Sequence, residues 1–222
     1  IQELSWSKQG WPVIGKTSDS DQASSRVEQL PAVWIDPKTG HRVVRLSKQA
    51  GSTSLYFHQN AYTAKGDKLL IFTPRGLETV DLQTRQLKVV VPRLHYRMTS
   101  SSGVEMGRKS RQVYYSTRSR KGTVVRGTHI DTGETREIVT LPFGASFNSV
   151  NADETLLFGA MRAFEPQRSD SEGQPNRDSR RDRERSMKLF TVEIATGKIR
   201  TFHPSRSWLN HVQCSPTDPN LG

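Results

Sequence analysis

"LETVDLQTRQLKVV", residues 77–90, decides how the chain folds. Two short apolar runs, Leu77–Val80 and Leu87–Val90, flank a polar turn ending in Thr84-Arg85. Runs this short, rich in β-branched residues and bounded by turn residues, read as strands joined in a hairpin. The pattern recurs as "VRGTHIDTGETREIV" (125–139) and "LFTVEIATGKIRTF" (189–202). There the turns use Thr-Gly, and glycine supplies the positive φ that tight turns require. An earlier copy of the second half, "DPKTGHRVVRL", begins at Asp36. The turn threonines Thr39, Thr84, Thr132 and Thr196 are 45, 48 and 64 residues apart.

A second set of segments precedes these hairpins. "GDKLLIF" starts at Gly66, "SRQVYYS" at Ser110 and "DETLLFG" at Asp153, at spacings of 44 and 43. Each is a polar turn followed by an apolar strand. The long final step between turn threonines has a visible source. Residues 165–186, "EPQRSDSEGQPNRDSRRDRERS", hold six basic and six acidic residues and almost nothing apolar. Such a segment buries too little surface to offset its ordering entropy and reads as a charged mobile loop. Short strands and hairpins at a 40–50 residue period predict an all-β protein, a β-propeller with about four blades in residues 1–222 as one partial domain. A two-sheet sandwich is the structural rival.

Composition limits the function classes. The 222 residues are 33% hydrophobic and carry a net charge of +11. No run approaches the roughly 18 apolar residues that span a bilayer, so no membrane partner is expected. The chain opens on Ile1 without a charged and apolar leader; a signal peptide, if one existed, was removed or lies upstream. Cys214 is the single cysteine, which excludes an internal disulfide and a cysteine zinc site. The compartment stays open between cytoplasm and periplasm, and so does the oligomeric state. From Arg85 to Arg126 eleven Lys or Arg face one acid, Glu105. A basic concentration of that kind attracts polyanions. Tyr96, Tyr114 and Tyr115 lie near it, but no nucleic-acid-binding motif is present, so no nucleic-acid partner is expected.

Aligning the repeats puts Thr63, Gly107, Asn151 and Ser215 in one register, each at the turn after a first strand. The first strand of a propeller blade is innermost, and its opening residues face one mouth of the central channel. That register brings together His58, Gln59, Asn60, Asn148, Asn210 and His211. Polar groups converging on a concavity are the candidate site. Each also has the plainer use of satisfying loop backbone groups.

Three segments resemble the oligogalacturonate lyase family: "WLNHVQCSPTDPNL" (208–221), "YFHQNAYTAKGDKLLIF" (56–72) and "DPKTGHRVVRLS" (36–47). The resemblance implies a seven-bladed propeller that cleaves short oligogalacturonides, the fragments of pectin, by β-elimination. It also implies a manganese ion held by three His and one Gln, which neutralises the substrate carboxylate, and a His base that takes the α-proton. A cation on the carboxylate makes the developing enolate tolerable. The family's metal motif, Gln-x-x-His-x-His, and its His-Glu stretches are absent from residues 1–222. The histidines are His41, His58, His95, His129, His203 and His211, none paired at ligand spacing. On this reading the chain is the N-terminal part of a longer lyase. It holds no catalytic or metal residue, binds no manganese and is inactive alone. Its partner is an acidic oligosaccharide, contacted by His211, Asn210, Gln59, Asn60 and His58. The alternative is a non-catalytic TolB-like or WD40-like propeller that serves as a protein-interaction platform.

Overall fold

The computed structural model describes residues 4–6, 12–14, 31–93, 103–120, 122–162 and 186–222. Apart from Ser186, the charged segment 165–186 lies outside the described residues. The chain divides into two compact units, Ile1–Gly51 and Ser52–Gly222. The first contains two hairpins, β1 (Leu4–Trp6) with β2 (Pro12–Ile14) and β3 (Val33–Ile35) with β4 (Arg42–Val44).

The second unit holds three four-stranded antiparallel sheets, each built from consecutive strands. The first is β5 (Thr53–Ser54), β6 (Lys68–Thr73), β7 (Gly76–Asp81) and β8 (Leu87–Pro92). The second is β9 (Val104–Met106), β10 (Gln112–Ser119), β11 (Gly122–His129) and β12 (Thr135–Leu141). The third is β13 (Ala145–Val150), β14 (Leu156–Arg162), β15 (Met187–Glu193) and β16 (Ile199–Ser205). No α-helix occurs among the described residues. These are the blades of a β-propeller, and sequential up-and-down strands are what a blade requires.

Burial follows the blade pattern. Nearly all of β7, β9 and β13 and most of β11 is buried, whereas the outermost strands β12 and β16 are mostly exposed. A blade packs both faces against its neighbours, so its inner strands lose the polar alternation of a one-sided sheet. Two apolar clusters fill the spaces. One joins Leu70, Leu77 and Val91 to Val104, Met106 and Tyr115. The other joins Val125 and Leu141 to Phe147, Leu157 and Phe190.

The outer hairpin turns are four copies of one device. In the first, the Asp36 carboxylate accepts the backbone N–H groups of Lys38 and Thr39 and the Thr39 hydroxyl, while the Gly40 N–H donates to the Asp36 carbonyl at 2.8 Å. Asp81 repeats this with Gln83, Thr84 and Arg85. Glu193 accepts the Thr196 hydroxyl, and His129 Nδ1 faces the N–H of Thr132. The fifth residue is left-handed each time: Gly40, Gly133 and Gly197 at φ 69°, 78° and 72°, and Arg85 at 63°. Local side-chain bonding therefore fixes the hairpins without help from the core.

The register read from the sequence holds. The Thr63 N–H bonds the Lys68 carbonyl, Gly107 bonds Gln112 and Asn151 bonds Leu156, each five residues on. Ser215 bonds Leu221, one residue further, so the fourth turn is a longer version. The segment 208–214 before it is not a strand.

Candidate functional site

Two segments 153 residues apart form the site. In the first, buried Leu55 anchors a four-residue turn. The Gln59 N–H donates to the Tyr56 carbonyl, and the Tyr56 N–H donates back to Gln59 Oε1, both at 2.9 Å. Closing the turn through a buried side chain pushes the intervening residues outward: Phe57 is 82% exposed and His58 partly so.

The second segment leaves β16 and descends past the third sheet. Met187 Sδ accepts the Leu209 N–H, and Ser149 Oγ accepts the Cys214 N–H at 3.2 Å. Between these fixed points His211 takes φ 55°. Left-handed backbone is uncommon outside glycine, although His is among the residues enriched there, and it costs of order 1–3 kcal/mol. Asn210 Oδ1 accepts the His211 N–H at 2.9 Å, which helps to hold that conformation.

His58 and His211 meet with Nδ1 to Nδ1 at 3.2 Å, their rings nearly perpendicular at 82°. Gln213 Nε2 donates to the His58 carbonyl at 3.3 Å. Tyr56 stacks on the His211 ring at 5.8 Å, and Phe57 lies tilted at the same distance. Four rings thus form one exposed cluster, an apolar platform with polar tips.

Burial, followed by the proximity of His211, holds the His58 pKa below the usual histidine value. A neutral pair bonded through Nδ1 shares one proton between those atoms. Whichever ring donates, the other two nitrogens are one Nε2–H donor and one bare Nε2 acceptor. Among the described residues, His58 Nε2 and Gln59 Nε2 are buried without a hydrogen-bond partner. Buried polar groups are nearly always paired, so two adjacent exceptions mark this turn.

The other residues expected at the site differ in their engagement. Asn60 is committed to the fold: its Nδ2 donates to the carbonyls of Tyr62 and Met106, and its N–H donates to Glu105 Oε2 at 2.8 Å. Asn148 is buried at the register shift between Phe147 and Ser149. Asn210 is exposed beside His211. Tyr56, Phe57 and Gln213 were not singled out from the sequence. Adjacent aromatics next to a histidine in a polar stretch were the available signal for the first two.

No group of three or more His, Cys, Asp or Glu among the described residues is placed to hold a metal ion. The described residues therefore do not fit manganese, since His58 and His211 supply only two such ligands.

No family model and no curated protein matches the sequence. Solved structures do match. One is an oligogalacturonate lyase in complex with manganese: TM-score 0.60, 20% identity, 82% of this chain and 48% of that chain covered. The fold is that of an oligogalacturonate lyase propeller. A second is the oligogalacturonate lyase from Vibrio parahaemolyticus, with TM-score 0.58 and 22% identity over 84% of this chain and 50% of that chain. TolB from Acinetobacter baumannii is more distant, at TM-score 0.42 and 10% identity over 78% and 48% of the two chains. The chain spans about half the length of the lyase structures it matches.

Proposed function

We propose that this chain is part of an oligogalacturonate lyase, a protein that cleaves short oligogalacturonides by metal-assisted β-elimination, and that its own contribution is a uronate-binding subsite. The observation that carries the reading is the meeting of His58 and His211 from segments 153 residues apart, next to exposed Tyr56 and Phe57. The likeness of fold to two oligogalacturonate lyases supports the choice of ligand.

On this reading a galacturonate ring lies against the aromatic platform, with a hydroxyl bonded to the exposed His211 ring. The exposed Asn210 amide supplies further hydrogen-bonding capacity beside it. The described residues form no metal site, so no step of the elimination is assigned to them. Their part is to bind and orient a sugar.

The test is a titration of the 222-residue chain with trigalacturonate, followed by histidine ring NMR. The His58 and His211 resonances should move together with one affinity, and His211→Ala should abolish the shifts at His58. Histidine signals that stay put at millimolar trigalacturonate would sink the proposal. So would shifts confined to His41 or His129.

A further inference from the structure

One side chain of β9 stands beside both segments of the site. Asn60, two residues after His58, is bonded to β9 three times. Its N–H donates to Glu105 Oε2 at 2.8 Å, its Nδ2 donates to the Met106 carbonyl at 2.9 Å, and its own carbonyl accepts the Met106 N–H at 2.9 Å. The turn that presents Phe57 and His58 is therefore fixed at both ends, by the Tyr56–Gln59 cap at its start and by β9 at its close. Of the three bonds to β9, only the one to Glu105 involves an ionisable group.

The second segment passes the same carboxyl. Cys214, three residues after His211, has its N–H held by Ser149 Oγ, and its thiol lies near enough to Glu105 to feel the carboxylate charge. Half-buried Arg108, in the turn after β9, acts on both groups. Asn60, Cys214 and Arg108 thus stand around Glu105, and the first two belong to the segments that carry the histidines.

Glu105 is 3% exposed. Protonated, it places no charge at that depth and keeps the Asn60 N–H. A buried carboxylate is costly, and the cost is relieved by water entering or by the side chain turning toward the Arg108 guanidinium. Either response competes with the Asn60 N–H for Oε2 and slackens the close of the His58 turn. Burial, the largest influence, pushes the Glu105 pKa up to about 8, so the protonated form prevails at neutral pH.

We propose that Glu105 is a positioning residue for the uronate subsite: its protonated carboxyl holds the His58 turn against the His211 segment, and its ionisation loosens the histidine pair. The link to a uronate rests on the function proposed above, whereas the tie between Glu105 and the histidine turn stands without it.

The experiment is NMR of the 222-residue chain from pH 6 to pH 9, following the His58 ring signal and the nuclear Overhauser contact between His58 and His211, whose ring centroids are 4.8 Å apart. The His58 pKa lies below 6.5, so a step in its signal near pH 8 reports a neighbour. The Cys214 thiol, pushed up to about 11 chiefly by burial, is silent there, and Cys214→Ser should keep the step. The wild type should show the step, with the ring contact weakening across it. Glu105→Gln keeps an acceptor for Asn60 and cannot ionise; it should show no step and hold the contact throughout. Glu105→Leu, which removes the acceptor, should lose the contact already at pH 6 in a chain that thermal melts show to be folded; if that variant does not fold, the wild type and Glu105→Gln decide alone. With only the protonated form binding, trigalacturonate affinity should fall roughly tenfold from pH 7 to pH 9 in the wild type and stay level in Glu105→Gln. A wild-type signal that is flat from pH 7 to pH 9 would overturn the proposal. So would a step that survives Glu105→Gln, or a ring contact that survives in folded Glu105→Leu. If the subsite reading alone fails, the step and its loss in Glu105→Gln persist while trigalacturonate moves no histidine signal at any pH.

Discussion

Glu105 sits on the innermost strand of the second sheet, 3% exposed, with its Oε2 accepting the Asn60 N–H. Burial pushes its pKa up to about 8, against smaller pulls downward from the Asn60 N–H and from Arg108. The folded-state value is therefore above the ordinary 4.5. Between those two values the native chain holds a proton that the unfolded chain has released, so stability falls as pH rises through that window. At about 1.36 kcal/mol per pKa unit, the loss from pH 5 to pH 8 is at most about 3.5 kcal/mol. Glu105→Gln removes the ionisable group and keeps an acceptor oxygen for Asn60. The assay is urea unfolding of both chains at pH 5, 6, 7 and 8. The variant's advantage should grow across that range by about 1–3.5 kcal/mol, and every other titrating group cancels in the comparison. Parallel stability curves for the two chains would refute the reasoning, because they would mean that the carboxyl ionises as freely in the native chain as in the unfolded one.

Two other expectations follow from the backbone and from the histidine pair. Arg85 occupies the left-handed position that Gly40, Gly133 and Gly197 fill in the sister turns. Arg85→Gly should therefore stabilise the chain by about 0.5–1 kcal/mol in denaturant unfolding, relief of strain outweighing the added freedom of the unfolded chain; no gain would mean that the turn holds Arg85 without strain. His58 should titrate below the ordinary histidine value of 6.5 in histidine ring NMR, burial being the larger cause. Its contribution to stability is then present above pH 6.5 and lost as pH falls, since the unfolded chain takes up the proton first. A titration midpoint at or above 6.5 would contradict the burial seen here.

The blades were readable because their information is local. Four turns with an acceptor at the first position, Thr at the fourth and Gly or Arg at the fifth carry their own hydrogen bonds, so their spacing survives translation into structure. The register that aligned Thr63, Gly107, Asn151 and Ser215 survives for the same reason. It also foretold the approach of His58 and His211. The use of Asn60 was hidden: whether an amide turns toward the channel or back to Met106 depends on a neighbouring sheet, not on spacing. The Tyr56–Gln59 turn was hidden as well, because a side-chain cap has no period to detect. The segment 208–214 resembles a first strand in sequence. Its Cys214 N–H nevertheless goes to the Ser149 hydroxyl rather than to a neighbouring strand's carbonyl, and no ladder forms.

The two ends of the blades divide the work. Some ties between sheets lie beside the histidines, where Asn60 bonds Glu105 and Met106, and others lie at the opposite end. There Arg111 bridges to Asp67, Glu154 caps the turn around Ser110, and the Asn151 amide reaches the Pro219 carbonyl at 3.1 Å. Each tie pairs a charge or satisfies a backbone group, so that end is close to electrostatically neutral and its side chains are occupied. The turns beside the histidines carry exposed aromatic rings and, in His211, a costly backbone conformation. Loops on a rigid scaffold are where binding groups collect. Substitutions at the end away from the histidines, such as Arg111→Ala, are therefore expected to act on the site only through loss of stability.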